Sequence, residues 1–564
     1  MKYNLLGKEV RGRFGFPSGV IATNSDTARL MLNHISQLGF YVGKSTTIKP
    51  QDGNPEDIFL LPTPDSGWNA VRYANPGLEA TIEGFRELIE TVPKDVFLMP
   101  QIGESDEEGF EHCAAEFDKI EVDGLELNVS CPHAKQGGIL IGSDPKMVHS
   151  IVSVARKATK KPLVVKLNAG VPNIEEIARV AVDAGANGIS AINTLGGPFP
   201  ELSNKFGGLS GPMIFPVTYD TVQRIRNAVN VPMIVMGGIR SAEDIVKLDK
   251  IDPNFFYAIG TALAEMSTVD ISVYFFWLNE DLQKGSHYAE NTVRTKIAAQ
   301  YKPFIVKEVR ELSQELKLIK FYENMEAAPG QFVFLKVGDS DSKPFSVAND
   351  EDGLELVIRK VGGTTSKIFQ LKPNNVVRIR GPYGYNSEYF DFLEGENVVF
   401  VGAGCGIAPI HHAAKHLKNN SNYFVIGAKT ESELVYLDEL RKMGKVFCST
   451  DDGSVGLKGT VVDLLRALIN QKCIPIPWQK QNAIFFNCGP EVVLKKADEI
   501  EREYTTPKRI HHLVERMTSC GTGICGKCSI PGGMRACVDG PVFTAEEFTP
   551  GLYKRGKDGR KINI

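Results

Sequence analysis

The sequence predicts an α/β chain: a (β/α)8 TIM barrel, then a small antiparallel β-barrel, a second nucleotide-binding type of α/β domain and a small cysteine-rich segment. Three observations predict this order. Short apolar runs alternate with amphipathic stretches up to about residue 285, short strands and turns replace them after 302, and four cysteines crowd into 520–537. The predicted domains are 1–290, 303–393, 394–507 and 508–550.

Composition places the chain among multidomain globular proteins, with 564 residues, 42% hydrophobic and 23% charged. The net charge of −4 gives no reason to expect a nucleic-acid partner. No apolar run approaches the length of a membrane span, and the first residues lack the apolar core of a signal peptide. We therefore expect a cytoplasmic protein without structural disulfides, so its ten cysteines need another explanation.

The first half contains repeated strand and helix patterns. Their number and spacing fit a closed barrel, in which catalytic residues lie at the carboxyl ends of the strands. An open, doubly wound sheet is the alternative arrangement of the same units. The runs that indicate strands are VFLMPQIG, GLELNVS, PLVVKLN, GISAIN, VPMIVMGGI and FYAIGTAL, with helical stretches such as NIEEIARVAVDAG and SAEDIVKL between them.

Cys131 follows the predicted strand GLELNVS, in the stretch CPHAKQGG. A buried, inert cysteine is the common alternative, but a strand end in a polar, glycine-flanked loop favours a functional thiol. Further along, MGGIRSAED ends a strand in two glycines and opens a helix at Ser241, with Asp244 in the capping-box position. Together with Gly260 and Thr261 on the next strand, this pattern indicates a phosphate site.

The second half begins with GQFVFLKV, LELVIRKV and VVRIRGPYG, which indicate antiparallel strands. After residue 396, FVGAGCGIAP places Gly402, Gly404 and Gly406 between a strand and a helix, where a pyrophosphate can approach the helix N-terminus. Such glycines are also ordinary turn residues.

The C-terminal cysteines have the spacing C-x4-C-x2-C-x8-C, with glycines between them. This opening is that of plant-type ferredoxins, so a 2Fe-2S cluster is favoured over a zinc site with the same four thiolates. The predicted ligands are Cys520, Cys525, Cys528 and Cys537.

FVGAGCGIAP, TDDGSVGLKG and NCGP resemble the ferredoxin-reductase superfamily. With CGTGICGKC and CVDGPVF after them, about 260 residues resemble the electron-transfer subunit of NAD-dependent (class 1B) dihydroorotate dehydrogenases. The family's flavin motif is Arg-x-x-Ser, whereas this chain has KPFS, so a lysine replaces the bidentate guanidinium. The resemblance implies FAD at Lys343, Pro344, Phe345, Ser346, Ile358, Gly363, Thr364 and Thr365, and NAD(H) at Gly402, Gly404, Gly406, Cys488, Gly489 and Pro490.

Residues 1–285 resemble the FMN-carrying catalytic subunit of the same family, through KSTTIKPQDGNP, NAVRYANPG, ELNVSCPHAKQGG, INTLGG, GGLSGP and MGGIRSAED. The resemblance implies that Cys131 is the general base, on a loop that closes over the substrate. It implies FMN contacts at Ser18, Lys44, Ser45, Gln101, Asn128, Lys166, Ile192, Gly211, Gly237, Gly238, Gly260 and Thr261. The implied substrate residues are Lys44, Asn69, Arg72, Tyr73, Asn128, His133, Asn193 and Thr194.

Several positions depart from the family pattern. Gln101 replaces an asparagine, and Arg72 and Tyr73 replace a Gly-Leu pair. His133 gives Cys-Pro-His, which resembles dihydropyrimidine dehydrogenases. Arg72 favours a carboxylate-bearing substrate instead.

The predicted function is electron exchange between dihydroorotate or orotate and NAD, through FMN, a 2Fe-2S cluster and FAD, in pyrimidine biosynthesis. Reduction of uracil, thymine or a related compound is one alternative. A barrel that has lost catalysis and serves a partner as an electron-transfer module is the other. We also expect a homo-oligomer formed through the barrel. The sequence leaves open the substrate, the choice of NAD or NADP, the direction, the oligomeric state and the redox potentials.

Overall fold

The computed structural model describes residues 2–55, 57–63, 66–130, 138–202, 204–289, 300–385, 398–417, 422–474 and 483–549, and two short strands at 553–555 and 561–563. The chain forms two compact units. The first consists of Met1–Ala299 and Thr522–Gly526, and the second of Gln300–Gly521 and Lys527–Ile564. None of the described helices is both long and apolar enough to cross a membrane.

The first unit contains a closed barrel of eight parallel strands. The strands described in this unit, inside and outside the barrel, are β1 (Tyr3–Leu5), β2 (Lys8–Val10), β3 (Phe14–Phe16), β4 (Leu38–Thr46), β5 (Phe59–Leu60), β6 (Gly67–Asn69), β7 (Phe97–Ile102), β8 (Leu125–Asn128), β9 (Leu163–Leu167), β10 (Gly188–Ala191), β11 (Leu195–Pro198), β12 (Phe206–Ser210), β13 (Met233–Met236) and β14 (Phe256–Ala258). The barrel order is β3-β4-β7-β8-β9-β10-β13-β14, closing back onto β3. The prediction of a closed barrel is confirmed, and the open-sheet alternative is wrong.

Helices alternate with these strands. They are α1 (Ser25–His34), α2 (Leu78–Thr91), α3 (Glu107–Asp118), α4 (Gly138–Ser143), α5 (Pro145–Ala158), α6 (Ile174–Asp183), α7 (Phe215–Ala228), α8 (Ala242–Asp249) and α9 (Thr268–Lys284). The predicted capping box is present at the start of α8, where Ser241 accepts from the Asp244 N–H and the Asp244 carboxylate accepts from the Ser241 N–H.

Burial explains why the barrel strands read as continuous apolar runs. Every residue of β9 is buried, including Lys166, because in this fold the strands are covered on both faces. The loops at the carboxyl ends add a second, antiparallel sheet in the order β11-β12-β6-β5. This small sheet carries Asn69 and Ser210.

The second unit contains two sheets and a terminal hairpin. Its strands are β15 (Lys302–Ser313), β16 (Leu316–Phe321), β17 (Phe332–Lys336), β18 (Lys343–Ser346), β19 (Glu355–Arg359), β20 (Val376–Tyr383), β21 (Val398–Ala403), β22 (Asn422–Ala428), β23 (Gly444–Thr450), β24 (Leu457–Lys458), β25 (Ile484–Cys488), β26 (Ile510–Leu513), β27 (Val542–Thr544), β28 (Tyr553–Arg555) and β29 (Lys561–Asn563). Its helices are α10 (Gly363–Ile368), α11 (Ile407–His416), α12 (Leu437–Met443), α13 (Val461–Asn470) and α14 (Glu491–Glu501).

The six strands β15–β20 pair antiparallel in the order β18-β17-β20-β15-β16-β19. The other sheet has the order β24-β23-β22-β21-β25-β26-β27 and is parallel except for β27. Strands β26 and β27 come from the cysteine-rich segment 508–550, so that segment shares a sheet with the nucleotide-type domain. The cysteines lie between these two strands in the chain.

Candidate active site and cofactor sites

A cavity of about 1240 Å3 opens where the carboxyl ends of the barrel strands meet. Strand ends β4, β7, β8 and β9 contribute Lys44, Gln101, Asn128 and Lys166. Because all eight strands are parallel, residues far apart in sequence reach the same end of the barrel.

The cavity is lined by residues predicted to bind FMN and by residues predicted to bind the substrate. All twelve predicted FMN residues line it, and so do the predicted substrate residues that the structure describes. These are Ser18, Lys44, Ser45, Asn69, Arg72, Tyr73, Gln101, Asn128, Lys166, Ile192, Asn193, Thr194, Gly211, Gly237, Gly238, Gly260 and Thr261. Cys131 and His133 lie outside the described residues.

Gln101 is the centre of a buried polar network at the cavity floor. Its carbonyl oxygen accepts from Ser18 Oγ at 2.8 Å and from Asn128 Nδ2 at 3.2 Å. Its amide nitrogen donates to Glu126, and Glu126 accepts a second bond from Ser190 Oγ at 2.6 Å. Because the Gln101 amide nitrogen donates to Glu126, the amide oxygen of Gln101 is directed toward the residues that line the cavity.

A glycine cradle at the β13–α8 turn fits the phosphate of a flavin mononucleotide. Gly237 and Gly238 have φ of +116° and +78°. A Cβ at Gly237 would lie 2.6 Å from Thr218 Oγ1, and one at Gly238 would lie 2.8 Å from the Gly211 carbonyl oxygen. Only glycine therefore fits here, and the turn leads into the N-terminus of α8.

Two further lining residues of this end were not predicted. Arg240 lines the cavity beside the glycine cradle, and Ser210 Oγ accepts a hydrogen bond from Thr261 Oγ1 at 2.7 Å. A signal for Arg240 was present in the sequence, because it lies inside the GGIRSAED motif and its charge suits a phosphate.

Hydrogen bonds hold the predicted ring-binding amides of the cavity in fixed positions. Asn69 Nδ2 donates to the Gly208 carbonyl at 3.0 Å. Asn193 Nδ2 donates to Ser130 Oγ at 3.0 Å, and Ser130 Oγ donates to Asn128 Oδ1 at 3.0 Å. Ser130 is fully buried, so the residue before Cys131 is held between two residues of the cavity wall.

The second unit has its own cavity of about 2800 Å3 between the antiparallel and parallel sheets. Most predicted FAD and NAD residues line it. They are Lys343, Pro344, Phe345, Ser346, Gly363, Thr364, Thr365, Gly404, Gly406, Gly489 and Pro490. The cavity therefore brings most residues of both predicted nucleotide sites together.

Three predicted residues are not brought to this cavity. Ile358 is buried in the hydrophobic core, because alternation along β19 turns Val357 and Arg359 to the cavity instead. A Cβ at Gly402 would lie 2.8 Å from Ile410, so this glycine allows α11 to pack closely on β21. The Cys488 thiol lies in the core, where burial raises its pKa well above its ordinary value.

Charged groups in this cavity were missed by the sequence analysis. Arg359 Nη2 donates to Glu433 at 3.0 Å, and Ser313 Oγ donates to the same carboxylate at 2.8 Å. Arg516 also lines the cavity, and burial lowers its pKa to about 10. No motif distinguishes these arginines from solvated ones in the sequence, whereas in the structure they offer cations to phosphate groups.

The four predicted cluster ligands are all buried. The thiols of Cys528 and Cys537 lie 3.2 Å apart in the second unit, and Cys525 belongs to the segment grouped with the first unit. Hydrogen bonding with the thiols of Cys520 and Cys528, together with burial, raises the pKa of Cys537 well above its usual range. Cys520, Cys528 and Cys537 therefore lie together, and their thiols are soft donors of the kind that bind iron–sulfur clusters.

Comparison with known families matches three parts of the chain. The family described as "Dihydroorotate dehydrogenase" matches residues 1–264, "Oxidoreductase FAD-binding domain" matches 303–389, and "Iron-sulfur cluster binding domain of dihydroorotate dehydrogenase B" matches 515–549. Fold, sites and these matches together define a flavin- and iron–sulfur-dependent oxidoreductase that uses FMN, FAD and a 2Fe-2S cluster.

Relatives place the chain within this class. A probable dihydroorotate dehydrogenase B (NAD(+)) electron transfer subunit of Methanocaldococcus jannaschii is 34% identical over 272 residues, 46% of this chain and 98% of the relative. A catalytic subunit of the same enzyme from Geotalea uraniireducens is 40% identical over 221 residues, 38% of this chain and 72% of the relative. The chain belongs to the dihydroorotate dehydrogenase B family, with counterparts of both subunits in one polypeptide, as the sequence predicted.

Among solved structures, a DHODH of Eimeria tenella in complex with ferulenol aligns with a TM-score of 0.43 and 19% identity. The alignment covers 52% of this chain and 87% of that one.

Proposed function

We propose that this chain oxidises dihydroorotate to orotate in the barrel cavity and delivers the electrons to NAD in the cavity of the second unit. The observation that carries this proposal is the gathering of the predicted FMN and substrate residues in one cavity at the carboxyl ends of the barrel strands. When bound, FMN accepts a hydride, and FAD with the 2Fe-2S cluster passes electrons between one-electron and two-electron steps.

We assign different steps of the oxidation to different residues of the barrel cavity. Hydride loss from one ring carbon must be matched by proton loss from its neighbour, and we assign that proton to the Cys131 thiolate. Ser130, held by Asn128 and Asn193, fixes the start of the segment that carries this cysteine. The buried ammonium of Lys166 and that of Lys44 supply positive charge at the flavin site, which stabilises an anionic reduced ring.

The amides of the cavity suit a pyrimidine. Each amide offers one donor group and one acceptor, which matches the alternating N–H and C=O edge of the ring. Asn69, Asn128, Asn193 and Thr194 are the residues assigned to this edge. Arg72, which lines the same cavity, is assigned to the carboxylate that distinguishes dihydroorotate from dihydrouracil.

Replacing Arg72 by methionine is expected to raise the KM for dihydroorotate by about 10- to 100-fold, since a hydrogen bond to a charged group contributes about 1.5–3 kcal/mol. Steady-state kinetics with NAD as acceptor measure this change. The control is Arg86→Met on the exposed face of α2, which should behave as wild type. An unchanged KM in Arg72→Met, together with NADH-driven reduction of uracil by the wild type, would favour the dihydropyrimidine alternative.

A homo-oligomer formed through the barrel is part of the proposal. Helix α9 exposes Val269, Val273 and Phe276 along one side, at the spacing of a single helical stripe. Contiguous exposed apolar residues of this kind mark protein interfaces. A cytoplasmic location is proposed as well, because none of the cysteines that the structure describes forms a disulfide.

A charge placed in the α9 stripe is expected to dissociate the oligomer. Phe276→Glu should elute as a monomer by size-exclusion chromatography with light scattering, because the carboxylate would have to be buried without a partner. Val217→Glu on α7, also exposed, is the matched control and should leave the mass unchanged. An oligomer that survives Phe276→Glu would place the interface elsewhere.

A further inference from the structure

Arg380 is a fully buried arginine on β20, in the antiparallel sheet of the second unit. Its guanidinium carbon lies 4.0 Å from the centre of the Phe334 ring and 5.3 Å from that of Tyr383. Such a position is uncommon, because removing a cation from water is unfavourable unless other interactions compensate for the lost hydration. A charge at this position therefore indicates a specific function for the guanidinium, beyond packing.

The guanidinium is bonded to the segment that carries the first cluster ligand. Nη1 donates to the carbonyl oxygen of Cys520 at 2.8 Å and to the Tyr383 hydroxyl at 2.8 Å, and Nη2 donates to the carbonyl oxygen of Ser519 at 3.0 Å. The positive charge therefore contacts the backbone of Cys520, the residue whose side chain is a predicted iron ligand.

The end of the same strand also contacts the last ligand. The Gly384 N–H donates to the carbonyl oxygen of Cys537 at 3.2 Å. Gly521 packs so closely on the Tyr383 ring that a Cβ there would lie 2.8 Å from ring carbons. Strand β20 thus holds Cys520 and Cys537 in place, with Arg380 between the strand and the cluster segment.

We propose that Arg380 raises the reduction potential of the 2Fe-2S cluster. Reduction adds one electron to the cluster, so a nearby buried cation stabilises the reduced form more than the oxidised form. Arg380 is fully buried, and the low dielectric of such an environment keeps this interaction strong. The effect favours one-electron transfer onto the cluster during substrate oxidation.

This inference rests on the cluster of the proposed function but not on the identity of the substrate. It is tested on the holoenzyme by a redox titration in which the electron paramagnetic resonance signal of the reduced cluster is recorded. Arg380→Gln should lower the equilibrium constant for cluster reduction at least tenfold, which for one electron is about 59 mV in midpoint potential. Arg380→Lys, which keeps the charge, should stay within about threefold of wild type by the same conversion.

Arg378→Gln is the matched control. Arg378 lies on the same strand and near the Tyr301 ring, but its described hydrogen bond goes to the Gly338 carbonyl. Its removal should leave the potential unchanged. An unchanged potential in Arg380→Gln overturns the inference, as does an equal drop in Arg378→Gln. A wild-type protein without any cluster signal contradicts the proposed function itself.

Loss of the cluster from Arg380→Gln would prevent the titration, so Arg380→Met serves as a second neutral variant whose side chain can pack on Phe334. If neither neutral variant retains iron while Arg380→Lys does, the charge serves assembly of the site rather than its potential, and the inference is overturned. Iron content is measured alongside the titration in each variant.

Discussion

Serine in place of Cys131 is expected to slow dihydroorotate oxidation by about 10²- to 10⁴-fold, the usual contribution of a positioned general base. A thiol ionises near neutral pH once its pKa is lowered, whereas a serine hydroxyl does not, so the variant lacks a base for the ring proton. Binding should change little, because the ring contacts assigned to Asn69, Asn128 and Asn193 are intact. The loss therefore falls on kcat.

The reaction of NADH with FAD supplies an internal control for this variant. It takes place in the second unit and should proceed at the wild-type rate in Cys131→Ser, as measured by bleaching of the flavin absorbance. Full dihydroorotate oxidation by Cys131→Ser would contradict the assignment of the base. Equal slowing of both half-reactions would indicate a general defect in the protein.

Serine in place of Cys528 is expected to abolish electron transfer from dihydroorotate to NAD, to the level of the assay without enzyme. Cys528 is buried, its thiol lies 3.2 Å from that of Cys537, and a hydroxyl is a far weaker iron ligand than a thiolate. Dihydroorotate should still reduce the barrel flavin, and NADH should still reduce FAD. Only the connection between the two half-reactions is lost.

Cys473→Ser controls for loss of a thiol elsewhere, because Cys473 is partly exposed and lies just after the turn that follows α13. It should retain full overall activity and iron content. Overall activity that persists in Cys528→Ser after its iron is lost would show that the electrons take a route without the cluster.

The barrel and its cavity were predictable because both follow from local patterns. Apolar runs locate the strands, parallel pairing brings their carboxyl ends together, and polar residues just after each run then share one cavity. This is why Lys44, Gln101, Asn128 and Lys166, spread over 123 positions of the printed sequence, are found together. The glycines at 237 and 238 were predictable for the same reason.

The features that were not predicted depend on which face of a strand a residue occupies and on packing between distant parts of the chain. Ile358 was assigned to the FAD site although Arg359, one residue further on, faces the cavity; one step along a strand reverses the face. Arg380 lies in VVRIRGPYG, from which only a strand was predicted, and its burial follows from the packing of strand β20 against the cysteine segment. The pairing of β26 and β27 with the nucleotide-type sheet likewise joins residues that no local pattern links.

In the proposed reaction, one chain carries electrons from dihydroorotate to NAD, while a base at position 131 takes the proton that the substrate loses. The most direct measurement mixes the anaerobic holoenzyme, with both flavins and iron confirmed, with dihydroorotate and NAD, and follows orotate and NADH together. We expect equal amounts of the two products in the wild type and, over the same time, about 10²- to 10⁴-fold less of both in Cys131→Ser. A fully loaded wild-type enzyme that forms no orotate would contradict this expectation.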